Sequence, residues 1–403
     1  MPTYPTYKFT DIASLIRGVS YDKSVVSTSE REGYIPILRA NNIQKDLILN
    51  DLVYVPSDFV KEEQMIRKGD IVLAMSSGSK DLVGKSAQAN KDINAAFGTF
   101  CGLIRAKENI DSKFLGLYFQ TQEYRNFVSY QSQGVNICNL KKKDIESLQI
   151  PLPPLATQHA IVTRIEILFA ELDKAVRHLR TAQQQLKTYR QAVLKAAFEG
   201  CENAEKHLFG ELMADVRNGY GAKPTDCGTN KLLRISSVRA MNLNLDDFRF
   251  NNSSFDERNI IQENDLLFTR YNGSVDLVGV CAYVPELYDT YAYPDKIIRF
   301  RPKVCNTFHS KFLQYYINQG KAREFVRSKI KTTSGQNGIS GSDIKKIEIP
   351  LPTLTEQQRI VKEIESRLSQ ATASETYIEN ALQQAEALRQ SILKKAFSGE
   401  LVR

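Results

Sequence analysis

Apolar residues recur at alternating steps of three and four along two long stretches of the chain. Starting from Val162, these steps reach Val162, Ile165, Phe169, Leu172, Val176, Leu179, Gln183, Leu186, Arg190, Val193 and Ala197. Starting from Val361, they reach Val361, Ile364, Leu368, Ala371, Glu375, Ile378, Leu382, Ala385, Arg389, Ile392 and Ala396. Nine of the eleven positions on each line are apolar. A heptad line held that far predicts a coiled-coil seam rather than an ordinary amphipathic helix. Each stretch follows an Ile-Pro-Leu-Pro run, Ile150 to Pro153 and Ile349 to Pro352. Proline keeps the chain extended there, so each helix must begin after it. Thr355 and Gln358 are spaced for a T-x-x-Q capping box; Ala156 offers the first helix a weaker start. Gly200 and Gly399 stand where a left-handed glycine would end each helix. About 43 residues at 1.5 Å each make a rod of roughly 65 Å.

The two stretches belong to a larger internal repeat, which has to be found before any fold is assigned. Asp144 to Val162 (DIESLQIPLPPLATQHAIV) returns as Asp343 to Val361 (DIKKIEIPLPTLTEQQRIV), offset by 199, with 10 of 19 positions identical. Tyr189 to Gly200 returns at the same offset as Leu388 to Gly399, with 7 of 12 identical. A single offset at both ends means the helical segments have equal length. Upstream, GDIVLAMSSGSKDLVG from Gly69 echoes NDLLFTRYNGSVDLVG from Asn264, and PILRANNI from Pro36 echoes KLLRISSV from Lys231. SKFLGLY from Ser112 echoes SKFLQYY from Ser310. The layout is globe, helix, globe, helix: 1–153, 154–200, 201–352 and 353–403. Only Cys201 to Lys206 link the first helix to the second globe, so the second helix is expected to run back antiparallel to the first. The expected class is α+β: two similar globular α/β domains separated by two antiparallel helices in an intramolecular coiled coil with pseudo-two-fold symmetry.

Composition narrows the picture. At 403 residues, with 25% charged and 42% apolar positions, the chain is an ordinary globular protein of two or three domains. It carries no apolar run long enough for a membrane span, and its start lacks a signal peptide's apolar stretch. A cytoplasmic protein is expected. Six cysteines never closer than 24 residues to one another, so that no CxxC pair exists, and four histidines far from one another give no zinc spacing. A net charge of +8 admits a polyanionic partner without requiring one.

No catalytic constellation stands out. Ser79 to Ser86 approaches a P-loop, but Ser79 replaces the first glycine and the second globe loses the Lys and Ser, which reads as coincidence. The nucleophile-elbow, H-E-x-x-H and Rossmann fingerprints are missing, as is the Asn/Asp-Pro-Pro-aromatic signature of an amino-methyltransferase.

Each globe instead carries two polar, glycine-bearing loops. In the first they are Ser76-Ser77-Gly78-Ser79-Lys80 and Gln133-Gly134-Val135-Asn136-Ile137-Cys138-Asn139. In the second they are Arg270-Tyr271-Asn272-Gly273-Ser274 and Ser334-Gly335-Gln336-Asn337-Gly338. Asn, Gln, Ser and Arg match base edges and phosphates, although Gly, Ser and Asn also simply make turns. The candidate DNA contacts of the first globe are Arg39, Asn41, Ser77, Ser79, Lys80, Gln133, Asn136, Asn139, Lys141 and Lys142. Those of the second are Arg234, Ser236, Arg270, Tyr271, Asn272, Ser274, Lys331, Ser334, Gln336 and Asn337. A basic cluster of Lys321, Arg323, Arg327, Lys329 and Lys331 offers a further phosphate-facing surface. Two similar but unequal readers on rigid rods suit a bipartite target. A coiled-coil scaffold joining two protein partners, without nucleic acid, is the alternative.

IPLPPL…Q…IV and IPLPTLTEQQRIV, LKAAFEG and ILKKAFSGEL, GDIVLAMSSG and SGQNGIS together resemble the specificity subunit of type I restriction–modification systems. The resemblance covers essentially the whole chain, twice over. The first copy departs at Thr157, where the second has Glu356, and its loop lacks the Gly-Ile-Ser ending. The resemblance implies a non-catalytic subunit without a cofactor of its own. It would read a bipartite duplex and bind two methyltransferase subunits, with two restriction/translocase subunits in the full complex. Those partners would supply adenine-N6 methylation, translocation and cleavage.

Overall fold

A computed structural model describes residues 4–78, 82–131, 138–221, 224–252, 256–304, 307–333 and 335–402. The chain forms two compact units, Met1–Arg180 with Glu379–Arg403, and Thr181–Ile378. No helix of the described residues is long and apolar enough to cross a membrane.

The first unit is built on β1 (Ala13–Arg17), β2 (Ile71–Ala74), β3 (Ser76–Ser77), β4 (Ser86–Gln88), β5 (Cys101–Ala106) and β6 (Cys138–Asn139). Four of these make an antiparallel sheet in the order β1-β5-β2-β4, with Ile71 opposite Ile104 and Ile16 opposite Leu103. All four residues of β2 are buried, as a strand covered on both faces requires. The helices Ser112–Tyr118 and Gln122–Gln131 bring Phe114, Leu115, Tyr124 and Val128 into one core with Ile71, Leu73 and Ile104. A smaller sheet pairs Tyr34–Leu38 antiparallel with Val53–Pro56 and parallel with Ala96–Phe97.

The long helices are α1 (Leu155–Ala197) and α2 (Leu354–Ser398), and each unit takes part of both. In the first unit Ile161, Val162 and Ile165 of α1 enter the core beside Ile392, Leu393, Ala396 and Phe397 of α2. The Phe397 ring lies 4.8 Å from Phe114 and 5.5 Å from Tyr118.

The second unit repeats this construction with β7 (Met213–Asn218), β8 (Leu266–Thr269), β9 (Tyr271–Asn272), β10 (Cys281–Tyr283), β11 (Ile297–Pro302), β12 (Lys331–Thr333) and β13 (Gln336–Gly338). Its sheet order, β7-β11-β8-β10, matches the first, with Leu266 opposite Phe300 and Arg217 opposite Arg299. Asn230–Leu233, Phe248–Asn251 and Tyr291–Ala292 form the counterpart of the small sheet. Leu194 and Phe198 of α1 and Ile360, Val361 and Ile364 of α2 complete the core around Phe209, Phe268, Phe300 and Phe312. The α+β class, with two similar domains and two long helices paired antiparallel, is thus what the chain forms.

No position on either heptad line is exposed. Val162, Ile165, Val193, Val361, Ile364, Ile378 and Ile392 are buried; Phe169, Leu172, Val176, Leu179, Leu186, Leu368 and Leu382 are half-buried. The charged breaks in the lines have partners. In the second unit Arg190 bonds Glu375 at 3.0 Å and the Thr372 hydroxyl at 2.9 Å. In the first, Arg389 pairs with Asp173 and lies 4.1 Å from the Phe169 ring centroid. These cations use the seam without losing their counter-charges.

Helix starts and stops follow local chemistry. Gly200 and Gly399 adopt φ of 89° and 82°, the left-handed backbone that a side chain resists. The start of α2 differs from expectation: the helix begins at Leu354, directly after Thr353, whose hydroxyl accepts the Glu356 N–H at 3.4 Å. Thr355 and Gln358 are therefore the second and fifth residues of the helix, where no capping box can form. Gln158 and Gln357, one offset apart, are buried and pin each helix to the loop before a shorter one. Gln158 accepts from Asp111 N and donates to Pro153 O; Gln357 accepts from His309 N and donates to Pro352 and Thr307 carbonyls.

Candidate nucleic-acid interface

In each unit, the two polar loops that lie far apart in sequence are joined by a short strand pair. In the first, β3 and β6 pair antiparallel, Ser77 opposite Cys138 and Ser76 opposite Asn139. In the second, β9 and β13 pair antiparallel, Asn272 opposite Asn337 and Tyr271 opposite Gly338, and β12 extends the ribbon. The register is the same in both units once the local offsets, 195 for β3 and 199 for β6, are applied. Each ribbon is anchored the same way at its base. Phe100 O accepts from Met75 N at 2.8 Å, and its counterpart Lys296 O accepts from Arg270 N at 2.7 Å. Gly338 is required by close packing: a Cβ there would come within 2.6 Å of the Tyr271 ring.

The candidate contacts of the first unit fall into three groups. Ser77 is half-buried on β3, and Asn139 is exposed on β6. Arg39 holds the Asp51 carbonyl at 2.8 Å and its carboxylate at 3.1 Å, while Asn41 next to it is exposed. Its neighbour Asn42 is buried and bonded to three backbone groups, which fixes that turn. Lys141 is exposed; Lys142 is ion-paired with Glu146 at 3.4 Å. Ser79, Lys80, Gln133 and Asn136 lie outside the described residues.

In the second unit Arg234 pairs with Asp247 at 3.2 Å, as Arg39 does with Asp51. Ser236 is half-buried, and Ser237 donates its hydroxyl to Arg234 O at 2.6 Å. The Arg270 guanidinium lies 4.7 Å from the Tyr271 ring centroid. Asn272 accepts from Ser274 N at 3.0 Å, and Ser274 itself is exposed. Lys331 and Gln336 are exposed. The Asn337 amide already serves the ribbon, accepting from Thr332 at 2.8 Å and donating to Gly273 O at 3.0 Å. Ser334 lies outside the described residues.

One expectation is revised. Arg323 does not belong to a phosphate-facing surface: its side chain runs inward and donates to Val278 O and Asp276 O, both at 2.8 Å. Burial, reinforced by neighbouring Arg327, pulls its guanidinium down to about 10, still charged at neutral pH. Arg327 and Lys321 are held by Asp276 and Glu202 at 2.9 and 2.8 Å. The near-P-loop is in keeping with its reading as a coincidence: Ser86 opens a strand, whereas a phosphate cradle needs a helix start after the Lys-Ser pair. Among the described residues no cluster of three His, Cys, Asp or Glu is placed to hold a metal. Sequence reasoning missed Phe100, an exposed ring at the ribbon base; the signal was a lone aromatic in a Gly-Thr-Phe-Cys turn.

A family model described as "Type I restriction modification DNA specificity domain" matches residues 1–178 and 246–384. The chain is 40% identical to the type I restriction enzyme EcoKI specificity subunit of Escherichia coli K12, over 97% of this chain and 87% of that one. The chain belongs to the type I restriction–modification specificity-subunit family. It is also 36% identical to the StySPI specificity subunit of Salmonella potsdam, over 99% of this chain and 89% of that one. Among solved structures, a chain from a study of complex assembly and conformational transition of the type I R-M system matches with a TM-score of 0.76 at 18% identity, over 99% of both chains. The HsdS subunit from Thermoanaerobacter tengcongensis matches with a TM-score of 0.55, also at 18%, over 99% of this chain and 98% of that one.

Proposed function

We propose that the chain is the non-catalytic specificity subunit of a type I restriction–modification complex, each unit reading one half of a bipartite duplex target. The observation that carries this is the ribbon: one backbone register in both units, presenting Ser76, Ser77 and Asn139 in one and Tyr271, Asn272 and Gln336 in the other. A fixed frame with variable polar side chains is what base-edge readout needs. The long helices, each shared between the units, would set the spacing of the half-sites and offer their exposed faces to two methyltransferase subunits. Two restriction/translocase subunits would join in the full complex. Adenine methylation requires the base to leave the stack, a task for the partner's pocket.

A salt-titrated duplex-binding assay, run with methyltransferase subunits present, tests this. The expected result is sequence-dependent binding whose affinity falls steeply with salt, since phosphate contacts release counterions. Absent or salt-independent binding would favour the protein-scaffold reading.

A further inference from the structure

We propose that a pocket in the second unit, beside the ribbon, seats one phosphodiester of the bound duplex and so sets the register in which that unit meets its half-site. This rests on the DNA reading above. The pocket has a volume of about 300 Å³ and is bordered by Arg217 of β7, Arg270 at the start of the ribbon, and Ser340, Ser342 and Lys345. It is tied directly to the ribbon: Ile339 N donates to Arg270 O at 3.0 Å, and Ser340 follows immediately. Three cations converge on one concave site rimmed by Ser340 and Ser342, and guanidinium and ammonium groups bind a phosphate through both charge and hydrogen bonds.

The nearby carboxylates are already engaged. Asp215 bonds Arg217 at 2.8 Å but also pairs with Arg299, a guanidinium with no solvent exposure. Asp343 accepts from the Ser340 hydroxyl at 2.5 Å. Lys345 is exposed and has no ion pair among the described residues. Three cations therefore border the opening beside two carboxylates, Asp215, which is shared with Arg299, and Asp343, which holds the Ser340 hydroxyl.

The first unit does not repeat this arrangement, and the common register makes the comparison direct. Ile16 opposes Leu103 as Arg217 opposes Arg299, so Ile16 occupies the Arg217 position. Met75 occupies that of Arg270, and Glu146 that of Lys345. Two cations become apolar and the third becomes an anion, itself paired with Lys142. This phosphate anchor belongs to the second unit alone.

The test uses the full chain assembled with its methyltransferase subunits on duplex carrying its mapped target, with single neutral methylphosphonates walked along each strand. Wild type is expected to lose affinity at one phosphate in the half-site read by the second unit. Lys345→Ala should be indifferent to that same replacement. It should also bind all sequences more weakly, with its affinity-versus-salt slope shallower by about 0.9 on logarithmic axes. Lys345→Gln, which keeps the aliphatic stem, should behave alike and separates lost charge from lost packing. An unchanged slope and an unchanged methylphosphonate scan in both variants would overturn the proposal. So would a change in base preference with the slope intact. Wild type that ignored duplex altogether would instead sink the DNA reading, and this proposal with it.

Discussion

The two units share every strand pairing of their main sheet, yet they differ in what the frame carries. Both keep one strut: Arg105 with Asp70 in the first and Arg301 with Asp265 in the second, each carboxylate almost fully buried. Around that strut the first unit has Ser14, Phe97 and Leu103, and the second has Asp215, Tyr293 and Arg299. Arg299 is completely buried, bonding the Tyr293 hydroxyl at 3.1 Å and pairing with Asp215, with Asp265 at 3.8 Å. The difference teaches that apolar strand runs and a single Arg–Asp strut define this architecture, while the charges beside them can be exchanged as a set.

The largest effect is expected from breaking that set. Arg299→Leu should destabilise the second unit by about 3 kcal/mol, near the lower bound for a buried pair because Arg217 and Arg301 still hold the two carboxylates. Copying the first unit in full, with Asp215→Ser, Tyr293→Phe and Arg299→Leu together, should recover most of the loss. Hydrogen exchange resolved by strand separates the units; a triple variant no better than the single one would mean the two frames are not interchangeable.

A smaller effect sharpens the same comparison at a helix start. Asp111 caps Ser112–Tyr118, accepting from Lys113 N and Phe114 N at 2.8 and 2.9 Å. Its counterpart His309 caps nothing, and its Nδ1 is buried without a partner among the described residues. His309→Asp should stabilise the second unit by about 1 kcal/mol, the usual value of an N-cap. The substitution should also change the pH response. Burial, with Lys311 adding to it against Glu365, holds the His309 imidazole below its ordinary value. The unfolded chain then takes up that proton first, so the second unit loses stability as pH falls below about 6.5. The first unit has no histidine at this place, and His309→Asp should remove that part of the acid sensitivity. Unfolding midpoints at pH 7.5 and 5.5 check both outcomes.

Much of this was legible in the chain itself. Heptad spacing and the fixed offset of 199 located both long helices, because coiled-coil packing depends on a local period. The polar loops were legible as Gly, Ser and Asn runs. Their joining into one ribbon was not, since pairing Ser77 with Cys138 or Asn272 with Asn337 is a long-range event that no local pattern encodes. Arg323 misled for a related reason. On its own helix it reads as one of a basic row, and only the approach of the Asp276–Val278 segment turns it into a buried strut. The helix cap lies two residues earlier than the spacing suggested because two threonines, 353 and 355, compete, and the chain turns helical as soon as Pro352 allows. The basic pocket was invisible because Arg217, Arg270 and Lys345 come from three distant segments.

The central claim is that each unit reads its own half of one duplex target. Replacing residues 201–352 with the equivalent segment of another family member, then mapping methylated sites in a host carrying the hybrid, tests it most directly. The account predicts a target in which one half-sequence is retained and the other is new. A hybrid that changed both halves, or that methylated one uninterrupted sequence, would contradict it.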